Sequence, residues 1–272
     1  MIRLLYMGME CIRQLCGKNN TTDFLGKMMR KLFSGLAIAV LCACTTLLVG
    51  PFNFTYSPIK TQTFEIATWH KTNNAKDPIH IYIEGDGRAF NSQGQPTDNP
   101  TPRDMFLRNL VGQDEHTNIA YIGRPCQFVD DPICKQSDWT DGRFSANAVD
   151  AVAVAIKTVA KGRPIILVGY SGGAMISGLI IQRHPEMNIQ KWITIAGVLN
   201  HADWTEHFGD KPLSKSLDMR TLPRIKQLHY VAENDKTVPV ALSRKWIADE
   251  RNLVIVPDAK HNLMPGIEIN FK

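Results

Sequence analysis

The sequence predicts an α/β fold, a doubly wound and mostly parallel sheet with helices on both faces. Three observations predict it. From Thr61 onward short apolar runs alternate with helix-like stretches. One of those runs, Pro164-Ile165-Ile166-Leu167-Val168, passes through the tight turn Gly169-Tyr170-Ser171-Gly172-Gly173 directly into a helical pattern. Another, Trp192-Ile193-Thr194-Ile195-Ala196, is apolar enough to be buried on both faces, as parallel strands are. No repeat or shift of composition marks a second domain.

In chain order, Phe64 to Trp69 reads as an early strand, and Ile79-His80-Ile81-Tyr82-Ile83 as the next, apolar at alternate positions. Thr101-Pro102 predicts a helix start: a capping hydroxyl, then a proline in the first turn where a missing N–H is harmless, with Gly112 as the stop. Asn118 to Ile122 is a strand. Ser145 caps a helix whose Val149, Val152, Ile156 and Val159 share one face, and Lys161-Gly162 ends it. The strand before Ser171 follows, then the helix after it, which His184-Pro185 terminates. Trp192 to Ala196, Ile225 to Ala232 and Leu253 to Val256 supply further strands, and a helix spans roughly Val238 to Ala248. Two short insertions, Arg124 to Phe144 and Leu199 to Arg224, follow strand ends, where loops border the ligand crevice of open α/β sheets. They predict a short cap rather than a large lid.

The N-terminus stands apart from this pattern. Met28-Met29-Arg30-Lys31 precedes the apolar run Leu32 to Ala43 and leads into Leu41-Cys42-Ala43-Cys44, which reads as a signal peptide. The layout resembles that of bacterial lipoproteins, which implies a diacylglycerol on Cys44, removal of residues 1–43, and a start codon at Met28 or Met29. Thr45 beside the anchor resembles the residue that sends such proteins to the outer membrane. The implied location is the cell envelope, lipid-anchored and facing the periplasm, with residues 44–60 as a tether and 61–272 as one domain. The alternative is a single membrane-spanning helix, for which the uncharged stretch reaches about twenty residues only if Thr45 to Gly50 are included.

Residues 1–43 hold six of the 31 Lys and Arg and two of the 26 Asp and Glu, leaving 25 against 24. A near-neutral balance offers no electrostatic case for binding nucleic acid. Of the six cysteines, Cys126 and Cys134 remain once Cys11, Cys16 and Cys42 go with the leader and Cys44 is lipidated. An even remainder in an exported chain predicts a disulfide, worth about 2.5 kcal/mol in the chain-entropy model, with two buried free thiols as the alternative. There is no HExxH motif, no His-rich tract and no other paired-cysteine spacing, so neither a metal nor another cofactor is expected.

Ser171 is the candidate nucleophile. A Gly-x-Ser-x-Gly pattern alone arises by chance in roughly one in ten chains of this length, so the flanking strand and helix carry the reading. Glycines at positions 169 and 173 permit a sharp strand-to-helix turn that would leave the hydroxyl exposed. A serine needs a histidine to take its proton and an acid to orient that histidine. His261 follows the last strand in Pro257-Asp258-Ala259-Lys260-His261-Asn262, and Asp235 follows the strand before it in Ala232-Glu233-Asn234-Asp235-Lys236-Thr237-Val238-Pro239. Asp258 competes for the orienting role. His80 and His229 lie inside strands, His184 ends a helix, and His201 and His207 lie in an insertion, so none sits where a base is required.

The serine turn, the acid ahead of Val-Pro and the histidine after the terminal strand, in that order, resemble the α/β-hydrolase superfamily over Thr61 to the C-terminus. Stretches such as Tyr121-Ile122-Gly123-Arg124-Pro125-Cys126-Gln127 and Trp139-Thr140-Asp141-Gly142-Arg143-Phe144-Ser145 are similar to a poorly characterised group of exported proteobacterial hydrolases. The resemblance implies an α/β-hydrolase fold and a serine esterase acting on a small-molecule ester, with Ser171, His261 and Asp235 as its catalytic residues. A hydrolase of amides or thioesters, such as a peptidase, and a non-catalytic binding lipoprotein are the alternatives. The N–H of Gly172 is the expected first oxyanion donor and that of Asp86 the second, with Gly87 in reserve. The turn Glu84-Gly85-Asp86-Gly87 departs from the His-Gly pair common in the superfamily. Its two carboxylates are expected to face away or to pair with Arg88 or Arg124. Trp139, Trp204 and Tyr170 are candidate pocket residues.

Overall fold

The structure, a computed structural model, describes residues 53–74 and 76–272. The leader, Cys44 and Thr45 lie outside the described residues. In chain order the elements are β1 (Thr55–Tyr56), β2 (Ile59–Lys60), β3 (Glu65–Ile66), β4 (Thr68–Thr72), β5 (Ile79–Ile83), α1 (Phe106–Gln113), β6 (Asn118–Ile122), α2 (Ala146–Ala160), β7 (Ile165–Tyr170), α3 (Gly172–Arg183), β8 (Ile189–Ile195), α4 (His201–Phe208), β9 (Lys226–Ala232), α5 (Val240–Trp246) and β10 (Leu253–Val256). Eight strands form one sheet in the order β1-β4-β6-β5-β7-β8-β9-β10, and β2 pairs with β3 in a separate ribbon. From β6 to β10 every pairing is parallel, while β4 and β1 run antiparallel at one edge.

Side chains alternate across a strand, and in β7 both faces are apolar. Ile165 and Leu167 join the core beneath α2 and α3, with Val149, Val152, Ile156, Met175, Ile176 and Ile180. Ile166, Val168 and Tyr170 join the opposite core, which α1 covers through Leu107, Leu110 and Val111. That second face is also lined by Ile267, Ile269 and Phe271 of the C-terminal segment. The segment is tied down by Lys191, whose Nζ donates to the carbonyls of Asn270 and Lys272 at 2.6 and 2.8 Å.

Strand β5 is the point where the winding reverses, since the chain leaves it for β6 on one side and β7 lies on the other. Ligand crevices of open α/β sheets form at such points, outside the carboxyl ends of the strands. Here those ends carry Glu84-Gly85-Asp86-Gly87 after β5 and Ser171 after β7.

Several expectations are corrected. The strand expected over Phe64 to Trp69 splits at Ala67, whose carbonyl accepts from Gly123 N (2.9 Å), leaving β3 in the ribbon and β4 running on to Thr72. The helix expected from Thr101 begins at Phe106, because the Thr101 hydroxyl accepts from Phe128 N (2.8 Å) instead of capping. Residues 55–60, expected in the tether, form β1 and β2, and Ser57 N is bonded to Thr68 O at 2.8 Å. The insertion after β8 contains α4, capped by Asn200, whose side chain accepts from Asp203 N. Ser145 does cap α2, Lys161 ends it in the left-handed region, and Cys126 and Cys134 are joined in a disulfide.

Candidate active site

Ser171 stands between β7 and α3 with φ 51° and ψ −121°, a backbone conformation that residues other than glycine rarely adopt. Such a residue costs about 1–3 kcal/mol and persists only when its surroundings hold it. Here Ser171 N donates to Ile195 O (2.9 Å), and Ser171 O accepts from Ala174 N and Val198 N (3.0 Å each). The flanking glycines are needed for close approach: a Cβ at Gly169 would lie 2.5 Å from Gly173 O, and one at Gly173 would collide with Ile83 O.

From the carboxyl ends of two other strands come the partners of the hydroxyl. His261 Nε2 lies 3.0 Å from Ser171 Oγ, and His261 Nδ1 lies 2.8 Å from Asp235 Oδ2. The other Asp235 oxygen accepts from Thr237 N (2.7 Å) and Val238 N (2.9 Å), in the turn that Pro239 leads into α5. The Asp235 side chain is fully buried, so it has one orientation and one use. Asp258 does not take the role: His261 Nδ1 is held by Asp235. Tyr170 anchors the histidine loop from below, its hydroxyl donating to His261 O at 3.3 Å. Burial, aided by the charges of Asp104, Glu84 and Asp235, pushes that phenol well above its ordinary range, so it stays a donor.

Gly172 is the first residue of α3, where backbone N–H groups lack intrahelical partners and the helix dipole favours negative charge. The turn after β5 packs against it, since a Cβ at Gly85 would come 3.0 Å from Ser171 Cβ. Gln127 stitches this turn in place: its Nε2 donates to Gly85 O (2.9 Å) while its Oε1 accepts from Arg124 N (3.0 Å). The two acids of the turn separate. Glu84 is buried, accepting from Tyr121 Oη (2.5 Å) and Gly85 N (2.9 Å), and desolvation raises its carboxyl to about 7 despite those bonds. Asp86 is ion-paired to Arg124 and lies 3.5 Å from Arg143, beside the Cα of Gly172. Burial alone would raise its carboxyl, but the two guanidiniums outweigh it and hold the group below the usual carboxylate value. Arg124, rather than Arg88, is the partner.

No family model matches the sequence, and no curated protein is similar to it in sequence. Solved structures do match in fold. A serine hydrolase involved in carbazole degradation superposes with TM-score 0.51 at 13% identity, over 77% of this chain and 92% of that one. The acylaminoacyl peptidase of Pyrococcus horikoshii superposes with TM-score 0.52 at 12% identity, over 88% of this chain but 40% of the larger enzyme. An α/β serine hydrolase without a lid from Xanthomonas campestris gives 0.49 at 16% identity, over 78% and 88%. This is the α/β-hydrolase fold.

Within that α/β-hydrolase fold the serine opens onto a cleft of about 310 Å³ whose walls include Gly85, Asp86, Gly87, Phe90, Asp104, Arg143, Tyr170, Trp204 and Asn262. Tyr170 and Trp204 thus stand in the cleft. Trp139 does not: its indole donates to Thr97 O (3.1 Å) and packs beside Arg124 and Pro125, behind the Asp86 turn. Sequence reasoning missed Phe90 and Arg143. Phe90 carries no local signal, whereas Arg143 stands between Gly142 and Phe144 in an insertion after a strand end, the only hint available. Among the described residues no group of three or more His, Cys, Asp or Glu side chains is arranged to hold a metal ion.

Proposed function

We propose that the protein is an exported, lipid-anchored serine hydrolase that cleaves esters of small molecules. The observation that carries this reading is the continuous hydrogen-bonded chain from Ser171 Oγ through His261 to buried Asp235, opening on a cleft that the Glu84-Gly85-Asp86-Gly87 turn borders. In the proposed reaction His261 Nε2 takes the Ser171 proton as Oγ bonds to the ester carbon, and the carbonyl electron pair moves onto its oxygen. The N–H groups of Gly172 and Asp86 receive that oxyanion, each such donor being worth roughly 3 kcal/mol. Collapse expels the alkoxide, which takes the proton from the imidazolium and leaves as alcohol. Water, deprotonated by the same nitrogen, then releases the acyl group as carboxylic acid.

The same apparatus acts on amides and thioesters, and one fold neighbour is named a peptidase. Rates on p-nitrophenyl acyl esters against peptide substrates separate these readings. A fluorophosphonate probe tests catalysis itself: labelling of the wild type but not of Ser171→Ala is expected. Absence of labelling in folded protein would favour a non-catalytic binding lipoprotein. Export and anchoring rest on the leader and Cys44, and the Cys126–Cys134 disulfide fits an oxidising compartment. Palmitate incorporation that disappears in Cys44→Ala is the expected result. Incorporation that persists would refute the anchor.

A further inference from the structure

Beside the serine cleft lies a larger groove of about 610 Å³, lined by Phe90, Arg143, Trp204, Pro212, Leu213 and neighbouring polar residues. Phe90, Arg143 and Trp204 belong to the walls of both cavities, so the two join at the Arg143 side chain. Arg143 is an unusual wall residue. Its side chain is 95% buried, since only 5% of it is exposed. Its Nε is shut from solvent and has no hydrogen-bond partner among the described residues. Among the described residues its ion-pair partner is Asp86, whose Oδ2 lies 3.5 Å from Arg143 while Oδ1 pairs with Arg124. Arg124, whose Nε is in the same state, uses both terminal nitrogens, on Asp86 and on Arg143 O. Two guanidiniums therefore face one carboxylate, which leaves one positive charge in excess.

Aromatic rings frame that charge. The guanidinium carbon lies 5.6 Å from the Phe90 ring centroid, 5.7 Å from that of Phe144 and 5.7 Å from that of Trp204. Apolar rings this close lower the local dielectric, which strengthens an ionic contact made there. A guanidinium that borders both cavities and carries charge in excess of its carboxylate partner is the place where a ligand anion is best held. Glu84, Asp86 and Asp104 border the serine cleft and not the groove. On the groove side Asp141 is held by Lys215 at 3.4 Å, and Lys211 adds a further cation beside Asp210. An anion is thus best placed on the groove side of Arg143, away from Asp104.

We propose that Arg143 is a substrate-binding residue, and that the substrates are esters carrying a carboxylate on one arm. The apolar body of that arm lies in the groove against Phe90, Trp204 and Leu213, and the carboxylate is bound by the Arg143 guanidinium. This rests on the hydrolase reading above and sets its substrate class.

Matched pairs of esters test it on the full-length protein. Mono-p-nitrophenyl glutarate against p-nitrophenyl valerate places the charge on the acyl arm, and butyryl glycolate against ethyl butyrate places it on the alcohol arm. For at least one pair, kcat/KM for the anionic member should exceed that for the neutral member by about tenfold or more. That ratio should collapse toward one in Arg143→Gln and be partly retained in Arg143→Lys. A wild-type ratio at or below one for both pairs overturns the proposal without any variant, as does a ratio that survives in folded Arg143→Gln. If no ester turns over and the fluorophosphonate probe does not react, the hydrolase reading itself has failed, and the substrate class falls with it.

Discussion

Gln127 reaches back across 42 residues to hold the carbonyl of Gly85, with its Nε2 2.9 Å from that oxygen. The turn it holds carries the Asp86 N–H proposed to face the oxyanion, so Gln127 acts as a positioning residue for a donor it does not itself provide. Removing a buried partner leaves the Gly85 carbonyl unsatisfied, at about 1–3 kcal/mol. Gln127→Ala should therefore lower kcat roughly tenfold with little change in KM, because the turn matters most when the oxyanion forms. Steady-state kinetics on a p-nitrophenyl ester make the split visible. An equal rise in KM at constant kcat would assign the side chain to substrate binding instead.

Asp235 offers a sharper test, because its two oxygens have different tasks. In Asp235→Asn the amide oxygen can still accept from Thr237 N and Val238 N, so the turn into α5 should survive. The amide nitrogen then faces His261 Nδ1 and forces the proton onto Nε2, where it can no longer accept from Ser171. The expected result is a loss in kcat of about 10³–10⁴-fold near neutral pH with an unchanged melting temperature. A loss below about tenfold would mean that the imidazole needs no orienting acid.

The parts of this site that were legible in the sequence are those in which local chemistry dictates backbone shape. The glycines around Ser171 and the Ser145 cap belong to that class, while the order of serine, acid and histidine was legible through its resemblance to the α/β-hydrolases. What could not be read depends on distant partners. Thr101 has the chemistry of a cap, yet its hydroxyl is claimed by Phe128 N, and no local pattern reveals that. Trp139 and Trp204 look alike in the sequence, but one indole is claimed by Thr97 O and the other borders the cleft while bonding Thr237 O at 2.7 Å. Of the two arginines beside Asp86, Arg124 is a partner the sequence offers, whereas Arg143 stands 57 positions away, beyond the reach of any periodicity.

Glu84 should leave a signature in the pH dependence of stability. Its carboxyl titrates at about 7 in the fold against 4.5 in a free chain, because burial disfavours the charged form. Below pH 4.5 the group is protonated in both states and has no effect. As pH rises from there through 7, the unfolded chain gives up a proton that the folded chain keeps, and stability falls. The loss amounts to about 3 kcal/mol at high pH. In Glu84→Gln the slope disappears, so the unfolding free energy of the variant relative to wild type should rise by about that amount between pH 4.5 and pH 8. Denaturant titrations at the two pH values check it, and parallel curves would show that the carboxyl is already ionised in the fold.

Ser171 itself should be a site where function and stability oppose each other. Its φ of 51° and ψ of −121° are held by backbone bonds to Ile195, Ala174 and Val198, not by the side chain. Ser171→Ala and Ser171→Gly both remove the hydroxyl and its bond to His261, but only glycine relieves the backbone. Comparing the two variants cancels the lost hydrogen bond and isolates the strain. Glycine should be the more stable by about 1 kcal/mol in denaturant unfolding, with neither variant reacting with the fluorophosphonate probe. Equal stabilities would mean that the turn exacts no conformational cost. The sharp geometry would then be a relaxed consequence of packing between β7 and α3, and the close glycine contacts at 169 and 173 would alone account for the local sequence.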